Sequence, residues 1–182
     1  MATAMSGTAK DNIDYVDPFI GTTNFSVCNP GAVRPHGLMS VVPFNVMGSD
    51  LNQDDKDKRW WSACYEYNNK YFTGFAHVTL SGVGCPEMGT LLTMPTTGEL
   101  NVDYTSYGSE YTNEVAHPGY YSNQLTKYGI RCEVTSTMRS SIERYTSYRG
   151  HSWYRACICR YIYPNLWLLP SARVAFSSSR WP

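Results

Sequence analysis

YYSNQLTKYGIRCEVTSTMRSSIERYTS, residues 120–147, alternates apolar and polar side chains over much of its length. Ile130, Cys132, Val134, Ser136 and Met138 fall on one face, and Arg131, Glu133, Thr135, Thr137 and Arg139 on the other. A period of two with one polar face is the pattern of a strand that is half buried and half solvated. The KYG turn before it ends in Gly129, which supplies the positive φ that a short hairpin loop requires, so YYSNQLT is the partner strand. The alternation predicts one strand running from Ile130 to Tyr145.

Upstream, the same economy of short strands and turns continues. PGAVRPHGLMSVVPFNVM, residues 30–47, sets three Pro and two Gly around an apolar run, Leu38 to Val42, which reads as a buried strand entered from a loop. Phe72 to Leu80 is a further strand candidate, SGVGCPEMG (81–89) a glycine-rich turn, and Thr90 to Pro95 another short strand. Turn signals are frequent and helical periodicity is scarce, which points to an all-β, antiparallel sandwich. Residues 1–13 read as a disordered leader, and the domain as 14–146.

From Thr146 to Pro182 the character changes. The last 37 residues carry five Arg (Arg149, Arg155, Arg160, Arg173, Arg180) and no Asp, Glu or Lys, whereas all 15 acids and ten of the bases precede them. The formal neutrality of the 182 residues thus conceals a −5 segment followed by a +5 one. Cys157, Cys159, Trp153, Trp167 and Trp181 stand among Arg and Ser with no sustained period, so residues 147–182 read as an irregular C-terminal tail, foreign to the domain or translated out of frame.

Composition narrows the function classes. The basic residues form no organised patch, which argues against a nucleic-acid partner. No apolar run is long enough for a membrane span, and MATAMSGTAK lacks the apolar stretch of a signal peptide. Six scattered Cys without a CxxC pair read as free, partly buried thiols. Asp50, Asp54, Asp55 and Asp57 crowd the loop 48–59, but the ordered carboxylates and distal Glu of an EF-hand are missing, so a solvated loop is expected there and not a calcium site.

Chemistry concentrates in RWWSACYEYNNKYFTGFAHVTLSGVGCPE, residues 59–87. Trp60 and Trp61, followed by Tyr65 and Tyr67, offer flat apolar faces on which the C–H face of a sugar stacks, while neighbouring polar groups fix the hydroxyls. His77 and the glycine-bracketed Ser81 and Cys85 bring a polar edge and backbone amides close to a ligand. Each has a plainer reading. Paired Trp serve as core anchors, a strand His is commonly a hydrogen-bonded structural residue, Gly82 and Gly84 serve the turn, and Glu87 alone is half of a glycosidase.

The motifs DYVDPFIGT (14–22), NPGAVRPHG (29–37), GFAHVTLSGVGCPEMG (74–89), LLTMPTTG (91–98) and HPGYYSNQLTKYGIRCEVTSTMRSSIERYT (117–146) run in unbroken order. Together they resemble the N-terminal domain of glycoside hydrolase family 92, the bacterial α-mannosidases. His36 stands where Phe is more common in the family, and the resemblance stops at Thr146. It implies a supersandwich of the galactose-mutarotase type, packed in the full enzyme on its own C-terminal (α/α)6 domain. It also implies calcium-dependent, inverting, exo-acting hydrolysis of α-linked mannose in glycans such as N-glycans, and a periplasmic or secreted location. The catalytic carboxylates and most calcium contacts of the family belong to the helical domain, so no catalytic residue, metal ligand or cofactor is expected within these 182 residues, and no activity from them alone. Matched to the signature, Trp60, Trp61, His77, Ser81, Gly82, Cys85 and Glu87, with Arg34 from the PGAVRPHG loop, would form a substrate wall. The alternative is a free-standing, lectin-like carbohydrate-binding module; a third reading is an interaction fragment with no ligand.

Overall fold

The computed structural model describes residues 11–23, 28–46, 64–79, 89–99, 101, 103, 105–147, 156–160 and 173–174. A 3₁₀ turn (Asn12–Tyr15) precedes strands β1 (Ala32–Val33), β2 (Ser40–Phe44), β3 (Tyr71–Phe72), β4 (Gly74–His77), β5 (Leu91–Thr96), β6 (Ser109–His117), β7 (Tyr120–Leu125), β8 (Ile130–Ser136), β9 (Ser141–Ser147), β10 (Ala156–Arg160) and β11 (Arg173–Val174). They form two antiparallel sheets, ordered β1-β2-β4-β5-β10-β11 and β3-β6-β7-β8-β9. No helix among the described residues is long and apolar enough to cross a membrane.

The alternating stretch sets the inner face of the second sheet. Ile130, Cys132, Val134 and Ser136 are buried, while Arg131 and Thr135 are exposed and Glu133 lies between Arg131 and Arg144 on the outer face. The single strand expected from Ile130 to Tyr145 is instead two. At Thr137 the chain turns, its N–H donating to the Ser140 carbonyl (2.7 Å) and its hydroxyl engaging Ser140 Oγ (2.8 Å), and β9 then pairs back along β8. Local hydroxyl bonds of this kind compete with continued strand pairing. Met138 therefore sits in the turn, exposed, and not on the inner face.

Two other boundaries differ from the sequence reading. Leu38 is exposed ahead of β2, its N–H bonded to the Met138 carbonyl (2.9 Å), and the buried strand begins at Ser40 and runs through Pro43 to Phe44. Pro43 is tolerated because β1 pairs only with Ser40 and Val41, leaving no two-sided ladder for the missing N–H to interrupt. The strand expected over 72–80 is split between the sheets: β3 pairs with β6, whereas β4 pairs with β2 and β5. Thr73 makes the crossing with its N–H and hydroxyl both on the Phe44 carbonyl, and Gly74 follows at φ 146, where an added Cβ would lie 2.7 Å from the Thr93 carbonyl.

Between the sheets lies an aromatic-rich core. Phe75 meets Phe72 edge-on (4.8 Å between centroids) and Tyr121 (6.0 Å), with Val41, Met94, Leu125, Cys132 and Val134 around them. Val42, Phe44, Ala76 and Leu92 point the opposite way and form a second cluster with Val46 and Cys64. The first sheet is thus buried on both faces, which is why β2, β4 and β5 lack alternation. Cys64 and Cys132 are buried, and Cys28 is half-buried beside Gly21.

The tail is not wholly irregular. Ala156–Arg160 pairs with β5 from Thr96 to Leu92, and Arg173–Val174 pairs onto it. Side-chain period did not announce this, because an open sheet edge is satisfied by backbone groups alone.

Candidate functional site

Of the expected wall residues, Trp60, Trp61, Ser81, Gly82, Cys85 and Glu87 lie outside the described residues, as does the Asp-rich loop. Their flanks are described. Ala32, Val41, His77 and Leu91 stand in one row across β1, β2, β4 and β5. Just beyond that row, at the Ser40 end, are the turn bearing Arg34 and both ends of the glycine-rich loop. Cys64, which follows the two Trp, bonds instead to Asn45 past the far end of β2, about 17 Å away along the strand. The described flanks of the two segments, Cys64 and Val78–Thr79, therefore lie at opposite ends of β2.

The neck of the glycine-rich loop is held on every side. Val78, a β-branched residue at φ 56, donates its N–H to the Ser40 carbonyl (3.0 Å), and Thr79 N–H donates to Ser40 Oγ (2.8 Å). A positive φ costs a β-branched residue free energy and persists only where surroundings enforce it. On the return, Thr90 N–H donates to the His77 carbonyl (2.9 Å), and at Gly89 (φ 99) a Cβ would lie 2.7 Å from that same carbonyl. Arg34 is exposed, and the Gly37 N–H closes its turn on the Arg34 carbonyl (2.9 Å) with His36 at φ 60.

His77 itself is buried with both ring nitrogens engaged. Nδ1–H donates to the Leu91 carbonyl (3.2 Å), which fixes one proton there, and Nε2 contacts Glu143 Oε1 from β9 of the other sheet. Glu143 Oε2 accepts the hydroxyls of Tyr145 and Thr93, the latter at 3.2 Å. With Nδ1 already a donor, a proton between Nε2 and the carboxylate makes the pair imidazolium and carboxylate. Burial by itself lowers the His77 pKa, but the hydrogen bond and charge of Glu143, with the backbone carbonyls, outweigh it and raise the value. Burial likewise pushes the Glu143 carboxyl up, and His77, Tyr145 and Thr93 together hold it below the ordinary carboxylate range. The structure thus commits His77 to bracing the neck from the opposite sheet.

At the other end of the sandwich a cavity of about 250 Å³ opens beside Tyr67. The DPFI turn of the first motif, closed by Ile20 N–H on the Asp17 carbonyl (3.3 Å), projects Phe19 edge-on to the Tyr67 ring (5.7 Å). Tyr111, Thr112, Asn113 and Glu114 line the opposite side where β6 bulges between Thr112 and Val115, with Asn113 at φ 51. Glu114 accepts the hydroxyls of Tyr121 (2.7 Å) and Tyr65 (3.0 Å), and Lys70 Nζ stands 4.0 Å from it and 4.4 Å over the Tyr67 ring. Burial raises the Glu114 pKa, against the opposing pull of the two tyrosines and Lys70. Tyr67 was legible in the sequence as an aromatic face. Phe19, Lys70, Tyr111 and Glu114 were not, because they converge from separate elements.

The description "Glycosyl hydrolase family 92 N-terminal domain" matches residues 15–155, most of the chain. The chain belongs to glycosyl hydrolase family 92. The family GH92 α-mannosidase BT3965 from Bacteroides thetaiotaomicron shares 31% identity over 81% of this chain and 19% of its own, with a TM-score of 0.63. The family GH92 glycosyl hydrolase ccman5 shares 26% identity over 82% of this chain and 20% of its own, at a TM-score of 0.61. The inverting mannosidase BT2199 of B. thetaiotaomicron, at 21% identity and a TM-score of 0.56, shares the fold. The chain thus spans about a fifth of the length of these family 92 structures. No curated protein sequence matches it.

Proposed function

We propose that this chain supplies the sugar-facing N-terminal domain of a calcium-dependent, inverting exo-α-mannosidase acting on α-linked mannose of glycans. The observation that carries the reading is the family match over residues 15–155, joined to a signature loop whose neck is fixed by strain, ladder bonds and the His77–Glu143 pair. A neck held in this way fixes where the loop enters and leaves the sheet, and a fixed support is what a recognition loop needs.

Inversion requires a general acid and a general base flanking the glycosidic bond, about 6.5–9.5 Å apart so that water fits. Among the described residues, Glu143 is consumed by its ion pair and Glu114 is the one carboxylate lining the cavity. In this reading the acid, the base and the calcium ligands come from a helical domain of the family, and the wall residues Trp60, Trp61, Ser81, Gly82, Cys85, Glu87 and Arg34 stack on the mannose ring and bond its hydroxyls.

The test replaces the N-terminal portion of BT3965 with residues 1–155 of this chain and measures mannose release from an aryl α-mannoside, with calcium and with chelator. Release that needs calcium and falls sharply in Trp60→Ala is the expected result. A folded chimera that releases nothing while BT3965 works under the same conditions refutes the assignment. Turnover by the 182-residue chain alone refutes the division of labour.

A further inference from the structure

We propose that the cavity between Phe19, Tyr67 and Glu114 is a binding subsite for one neutral hexopyranose ring, at the opposite end of the sandwich from the His77 neck. The inference goes beyond the mannosidase reading and draws on the cavity's own chemistry.

Size comes first. About 250 Å³ falls just under the ~300–1,000 Å³ typical of small-molecule sites, a scale that suits a single ring. One wall is aromatic: Phe19 and Tyr67 meet at 68°, and Tyr111 lies across from them. An apolar wall beside polar groups suits a ring with a C–H face and a hydroxyl edge.

The polar groups select the charge. Lys70 Nζ and Glu114 Oε2 are 4.0 Å apart, beyond direct hydrogen-bonding distance. A hydroxyl about 2.8 Å from each would bridge them at an angle of roughly 90°, accepting from the ammonium and donating to the carboxylate. Glu114 has acceptor capacity for this, since its roughly four lone-pair positions receive one tyrosine hydroxyl on each oxygen. A phosphate or carboxylate ligand would face Glu114, and an ammonium ligand would face Lys70. Either meets like charge, whereas a polyol meets a donor and an acceptor together. The far wall is preorganised, because the bulge holds Asn113 at φ 51 and its Nδ2 is bonded to Gln124 Oε1 (2.9 Å).

The experiment is a ¹H–¹⁵N NMR titration of the full chain with methyl α-mannopyranoside and methyl α-glucopyranoside, and separately with inorganic phosphate and ethylammonium. The expected result is saturable shifts of the Tyr67, Lys70, Asn113 and Glu114 amides with at least one hexoside, at a Kd of about 1–10 mM. Phosphate and ethylammonium should leave them unmoved. Tyr67→Ala, at a half-exposed position, and Thr112→Trp, which fills the cavity from an exposed strand position, should each weaken binding at least about tenfold. Lys70→Met repeats the test without removing an aromatic ring.

No saturable shift at these amides with either hexoside overturns the proposal, as does undiminished binding in all three variants or saturable binding of either charged probe there. Hexoside shifts confined to residues 78–90 overturn the subsite and leave the mannosidase reading intact. Hexoside binding in the cavity alongside an inert chimera establishes the subsite and removes the mannosidase reading.

Discussion

Replacing Glu143 with Gln tests whether the inter-sheet brace is an ion pair. In the wild type His77 donates from Nδ1 to the Leu91 carbonyl, and its Nε2 faces a carboxylate that also accepts Tyr145 and Thr93. A Gln amide reproduces the shape in neutral form, its NH₂ donating to a bare Nε2 and its oxygen accepting the two hydroxyls. What is lost is charge assistance, worth about 1–2 kcal/mol for a hydrogen bond of this kind. The signs follow from the shifts. Glu143 has a depressed folded pKa, so its contribution is present above the ordinary 4.5 and lost as pH falls through the folded value. His77 has a raised one, so its contribution is present below the ordinary 6.5 and lost as pH rises through the folded value. Wild type should therefore exceed Glu143→Gln by about 1–2 kcal/mol between pH 4.5 and 6.5. The gap should close or reverse in alkali, where a carboxylate confronts an imidazole lone pair. Urea denaturation of both proteins across this range supplies the comparison, and an NMR titration of His77 supplies its pKa, which in the variant should fall below 6.5 because burial then dominates. A stability difference that stays constant from acid to alkali would refute the ion pair.

Gly74→Ala forces a side chain onto φ 146 and to 2.7 Å from the Thr93 carbonyl, and should cost about 2–4 kcal/mol; an unchanged melting temperature would contradict that geometry. Tyr121→Phe strips a 2.7 Å donor from the half-buried Glu114 and should cost about 1–3 kcal/mol while raising that carboxyl further. Arg144→Ala, at a side chain 70% exposed, should cost under about 1 kcal/mol despite its 2.8 Å contact with Glu133; denaturation of both variants in low and high salt separates the two cases. A chain ending at Ser147 leaves the β5 edge without β10 and should associate at concentrations where the full chain does not, which light scattering measures.

The sequence by itself determined the class of fold and the inner face of β8, because a period of two is a local property: wherever Ile130, Cys132 and Val134 share a face, Arg131, Glu133 and Thr135 take the other. It also determined the family, since its motifs are contiguous stretches whose order survives in one dimension. It did not disclose β6, whose alternation is interrupted by the bulge at Asn113 and Glu114, and it showed β2, β4 and β5 as short apolar runs without their exact bounds, because strands buried on both faces carry no alternation. Tertiary structure alone decided that Phe72 and Phe75 belong to different sheets and that β10 closes the edge of β5. It also joined His77 to Glu143 across 66 residues, and Phe19 and Tyr67 to Glu114 around one cavity. Such groups meet only when two sheets pack face to face, and the contacts that bring them together leave no spacing in the chain to be read.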